Sequence, residues 1–221
     1  MSVQLVLPLA LYGLSPELYR VISGGQQSGS AGLGLSLLQQ IVTGCLVWFA
    51  AGLGNGTRRA VLSLPPLKGR VYTYVTLAVL VYSVMVPVRF LSQNLLSFLD
   101  SPTGPILSAT DLSSNWLWLS VLVLVIGAPL TEEFTYRGFL LSALAKSKVG
   151  FWGAAIITDA AWTAMHASYQ PWAALPAIFV LGLLVSFLLW RTGSLWTCIF
   201  AHMTVNAVTV FMAVLFGLVL R

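Results

Sequence analysis

Long apolar stretches almost empty of charge constrain this chain more than any other feature. About 20 apolar residues cross a bilayer as a helix, and roughly six runs of that kind can be counted. They cover 33–53, 71–88 with an apolar extension to 99, 116–146 if Pro129 leaves the run unbroken, 151–166, 172–190 and 195–220. Soluble domains are about 45–50% apolar and about 25% charged. Here 58% of the residues are apolar and 8% are charged, too few polar groups to cover a water-facing surface. The expected fold class is all-α, a polytopic helical membrane protein with about six transmembrane helices. This composition excludes a secreted disulfide scaffold, a disordered tail and a nucleic-acid module, so no nucleic-acid partner is expected.

Before the first run, within residues 1–32, Val3 to Leu14 is apolar but short, Pro8 and Pro16 interrupt it, and Glu17 and Arg20 follow. Residues 1–32 read as an interfacial or re-entrant segment, with an extra span as the alternative. Met1 to Gln4 carries no basic stretch, so a signal peptide is not expected. Residues 33–221 read as one helical membrane domain without an internal repeat.

The net charge of +5 is gathered in short clusters between the runs: Arg58 with Arg59, Lys68 with Arg70, and Lys146 with Lys148. Such placement orients helices and touches anionic lipid. It puts the 58–70 loop, the 146–148 turn and the Arg191 turn on one side, expected to be cytoplasmic. The two cysteines, Cys45 and Cys198, lie in apolar runs without a CxxC pattern, so no disulfide framework is expected.

Ionisable groups in hydrocarbon are costly and mark function by default. Inside the runs these are Glu132, Glu133, Arg137, Asp159, His166 and His202, with Asn206 as a polar companion. Glu133 and Arg137 are four apart with the acid first, the favourable order for a helical ion pair. Glu132 is rotated by about 100° and has Tyr136, not arginine, four residues on. One carboxylate is thus engaged, and the other is available for proton transfer. Trp162 and His166 share a helical face, and Asp159 returns to it two turns earlier as a candidate supporting anchor. His202 and Asn206 are also four apart.

Depth links the three motifs. At 1.5 Å per residue, Glu132, His166, Asn206 and His202 lie roughly 21, 24, 18 and 12 Å from the expected cytoplasmic ends of their helices. Four polar groups on three helices therefore reach overlapping depths.

An EExxxR, an aromatic-xxx-His and an HxxxN, each on its own helix and in this order, resemble the CPBP family. This is the family of CAAX proteases, bacteriocin-processing enzymes and abortive-infection proteins, with the Ras-converting type of CAAX prenyl protease as one branch. The resemblance covers Glu132 to Asn206 and sets the catalytic core at about 116–220. It implies a membrane-embedded, glutamate-type endopeptidase that cuts near the terminus of a membrane-associated peptide or protein. The substrate would enter from the bilayer: a CAAX-like end, a leader or a C-terminal sorting tail. Carried over by motif position, Glu132 and His166 would activate water, and His202 and Asn206 would stabilise the oxyanion. Glu133, Arg137, Asp159 and Trp162 would support them, without a cofactor. Trp162 stands where the family usually has phenylalanine. The setting implied is the cell membrane of a prokaryote.

Three other readings remain open in the sequence. Glu132, His166 and His202 could bind zinc with an open fourth position, although HExxH is absent. Cys198, one turn before His202, could form a thiol–imidazole pair. The chain could also be a non-enzymatic scaffold, an immunity protein or a small transporter. Leu175, Pro176 and Gly182 are candidates for an access route to a site of the protease kind.

Overall fold

The computed structural model describes residues 30–53, 56–65, 71–96, 116–167, 170 and 172–219. Most of the N-terminal segment, residues 97–115 and the final two residues lie outside them. Among the described residues, seven helices follow one another: α1 Ser30–Ala50, the short α2 Arg58–Val61, α3 Val71–Leu96, α4 Leu117–Leu144, α5 Gly150–His166, α6 Leu175–Thr192 and α7 Leu195–Val219. No strand occurs among these residues, and the chain is a polytopic helical membrane protein.

Helix boundaries follow local chemistry. Thr57 caps α2, its hydroxyl oxygen accepting the Ala60 N–H at 3.3 Å. Pro176 occupies the first turn of α6, where a missing N–H costs nothing. Gly193 ends that helix at φ 61°, a left-handed conformation natural to glycine, and its N–H reaches the Leu189 carbonyl. The Ser63 carbonyl accepts the Leu195 N–H at 2.8 Å, tying the loop after α2 to the start of α7.

Five helices, α1, α3, α4, α6 and α7, are long and apolar enough to span a membrane. The remaining expected span, α5, has 17 residues. That gives about 25 Å at 1.5 Å per residue, against about 30 Å of hydrocarbon. The third run is not broken at Pro129. It continues as one helix, but with π turns at Leu122–Gly127 and Glu133–Leu141 around a short α segment.

α4 is held between α1, α5 and α7, while α6 packs on α3, α5 and α7. The polarity of the molecule is inverted relative to a soluble protein. Phe49, Leu53, Phe90, Leu95 and Phe211 are each at least 60% exposed, whereas Glu133, Arg137 and Asp159 are fully buried. Lipid tails accept the outer surface at no cost, and the polar groups must satisfy one another inside.

Candidate active site

The site begins with the sequence of α4. The π turn at Leu122–Gly127 carries the Ala128 N–H to the Val123 carbonyl, five residues back. Such turns displace backbone groups from the regular ladder and recur at functional sites. Two side chains from other helices meet the displaced carbonyls. Gln40 on α1 donates from Nε2 to the Val123 carbonyl at 3.1 Å, and Asn206 on α7 donates from Nδ2 to the Leu124 carbonyl at 2.8 Å. The Thr131 hydroxyl turns back to the Gly127 carbonyl at 2.8 Å. A Cβ on Gly127 would lie 2.0 Å from Gln40 Oε1, so only glycine admits the α1 amide this close.

One helical turn further on, the acidic pair divides its work. Glu133 is fully buried and accepts at Oε1 from Arg137 Nη1 at 3.3 Å and from His202 Nδ1 at 2.8 Å. Arg137 uses its other terminal nitrogen for Asp159 Oδ1 at 2.8 Å, and Asp159 Oδ2 accepts from the Ser186 hydroxyl at 3.1 Å. Four helices are thus joined through one buried guanidinium and two carboxylates, the arrangement that buried charge requires. Asp159, expected to anchor the face of His166, instead pairs with Arg137.

Glu132 takes a different partner. Its Oε2 accepts the indole N–H of Trp162 at 2.7 Å. The same indole meets His166 edge-on at 4.8 Å between ring centroids and His202 edge-on at 5.5 Å, while the Arg137 guanidinium lies 4.5 Å from it. Trp162 is 2% exposed and is the hub of the cluster. His166 closes α5 with Nδ1 at 2.8 Å from the Trp162 carbonyl. A carbonyl only accepts, so Nδ1 carries the hydrogen, and in the neutral ring Nε2 keeps the lone pair. The same reasoning makes Nδ1 of His202 the donor to Glu133.

The structure therefore gathers Glu132, Glu133, Arg137, Asp159, Trp162, His166 and His202 into one cluster. Asn206 joins it through the backbone of α4. Gln40 and Ser186 are not among the expected site residues. Gln40 is polar inside a span and could have been noticed on that ground, but it does not ionise. Gly182, a candidate for the access route, sits beneath the ion pair: a Cβ there would lie 2.9 Å from both Arg137 Nη2 and Asp159 Cγ.

Two rival chemistries meet the same geometry. Among the described residues no three of His, Cys, Asp and Glu are placed to hold a metal ion. Cys198 is fully buried, and its Sγ lies 3.4 Å from the Val185 carbonyl and 3.8 Å from the Ser194 carbonyl, as a packing residue's would.

Comparison with known proteins finds a match over the stretch that holds the three motifs. Residues 114–208 match the family model described as type II CAAX prenyl endopeptidase Rce1-like. An Escherichia coli protein described as an uncharacterized 24.3 kDa protein is 34% identical over 87 residues, 38% of this chain and 40% of that one. The chain thus aligns with about two fifths of that relative's length. No solved structure matches it. The matched stretch is the one that carries Glu132, Trp162, His166, His202 and Asn206, and it is similar to the Rce1-like CAAX endopeptidases.

Proposed function

We propose that this chain is an intramembrane endopeptidase that hydrolyses a peptide bond near the terminus of a membrane-associated peptide or protein. The observation that carries the reading is the convergence of Glu132, His166 and His202 on the Trp162 indole within membrane-embedded helices. Amide hydrolysis needs an activated water, a proton for the leaving amine and donors for the oxyanion. Glu132 and His166 Nε2 are the acceptors suited to withdraw a proton from water as its oxygen attacks the carbonyl carbon. That proton then passes to the departing nitrogen as the carbon–nitrogen bond breaks. An Nε2–H donor at His202, with Nδ1–H already directed at Glu133, requires the imidazolium, and Glu133 stands beside it as counter-ion. The Asn206 amide holds a second N–H besides the one spent on Leu124. No step requires a metal or cofactor. The substrate reaches the site from the bilayer, and the setting is the cell membrane of a prokaryote.

The test uses internally quenched peptides in proteoliposomes, one with a farnesylated cysteine three residues before its C-terminus, one without the prenyl group and one with a leader-type junction. Glu132→Gln and His166→Ala should each abolish cleavage, and cleavage by the unaltered protein should survive a strong zinc chelator. Cleavage that persists in Glu132→Gln would sink the assignment in favour of a scaffold. Loss on chelation alone would turn the enzyme into a metalloprotease.

A further inference from the structure

Asn206 does not reach Leu124 by chance of packing. In the π register that joins Ala128 to Val123, the next rung would join the Leu124 carbonyl to the nitrogen of residue 129. That residue is Pro129, which carries no hydrogen. The Leu124 carbonyl is left without its ladder partner inside a membrane helix, where no lipid can supply one. Asn206 Nδ2 supplies it at 2.8 Å.

A carboxamide has two chemically different ends, and side-chain packing alone distinguishes them poorly. A carbonyl oxygen can face only the NH2 end. The Leu124 carbonyl therefore decides which way the Asn206 amide points, and with it where the second N–H is held. We infer that Pro129 and the Leu124 carbonyl together form a positioning device for Asn206: the proline frees an acceptor on α4, and that acceptor orients the amide of α7. The bond also locks α7 to the turn that leads into Glu132. The structural half of this inference stands alone. Its consequence for turnover rests on the endopeptidase reading above.

The two halves are tested separately. In the first arm, detergent-solubilised protein is melted as four variants: unaltered, Pro129→Ala, Asn206→Leu and the double substitution. Asn206→Leu strips the carbonyl of its donor and should lower the midpoint. Pro129→Ala returns an N–H to the π rung, so the drop caused by Asn206→Leu should be at least about twofold smaller in that background, as expected of coupled sites. Should Asn206→Leu fail to fold alone, its recovery in the Pro129→Ala background carries the same meaning, and Asn206→Ser supplies a milder version of the cycle. Equal drops in both backgrounds, or no recovery, would overturn the device. No cleavage assay enters this arm, so it is independent of whether the protein is a protease.

In the second arm, the quenched peptide cleaved best by the unaltered protein is the probe. Pro129→Ala offers Leu124 a backbone donor that competes with the amide, and kcat should fall about tenfold with KM unchanged. In the Asn206→Leu background the same substitution should add no further loss. An additive loss there would show that Pro129 acts on turnover by some route other than Asn206, which overturns the catalytic half.

Discussion

The indole N–H of Trp162 is a donor that a phenylalanine in its place would lack. The indole sits between His166 and His202, and its N–H is directed at Glu132. A hydrogen bond to a charged group is worth about 1.5–3 kcal/mol. Trp162→Phe should therefore retain the fold and lower kcat by roughly 10- to 100-fold with little change in KM. Steady-state cleavage of the same quenched peptide checks this. Unchanged turnover would mean that Glu132 needs no anchor. At this scale the sequence was informative where residues ionise. Glu132, Glu133, Arg137, Asp159, His166 and His202 are conspicuous because hydrocarbon penalises charge, and the structure unites them. It was uninformative about who pairs with whom. Asp159 lies 22 residues from Arg137, and their contact depends on how α4 and α5 cross. Gln40 went unnoticed because an amide carries no charge, although in lipid its unpaired groups are costly as well.

Among the elements, α4 departs furthest from what periodicity alone suggests. The six apolar runs and their approximate ends can be read from hydropathy, since the bilayer imposes their length. The π turns cannot. At the first of them the carbonyls meet donors that arrive from α1 and α7, and such donors leave no mark on the local pattern of α4. The proline at 129 hints at an interruption, yet the helix continues because Asn206 meets the group that the proline frees. A similar dependence governs α6. Gly182 presents bare backbone to the Arg137–Asp159 pair, and that pair is pinned by Glu133 and Ser186. Neither side chain can give way to an added methyl group. Gly182→Ala should lower stability by about 1–3 kcal/mol through overpacking, read as an earlier melting midpoint in detergent. An unchanged midpoint would show that the ion network is softer than its bonds suggest.

For the whole molecule, the decisive relation is between the helices and the bilayer that surrounds them. α5 is about 25 Å long, against about 30 Å of hydrocarbon. A short span is met by thinning of the surrounding lipid, at fractions of a kcal/mol per ångström. Turnover in proteoliposomes should accordingly be higher in myristoyl than in erucoyl phosphatidylcholine, because thick bilayers strain the element that carries Trp162 and His166. Equal rates in both lipids would remove α5 from the argument. The shortness of α5 also bears on how a hydrolytic reagent reaches an oily interior. His166 is the last residue of that helix. A leaflet that dipped to meet the helix end would make a dent in the membrane, with its floor beside the imidazole. Bulk solvent would then stand close to the polar cluster, and the lipid itself would become the doorway.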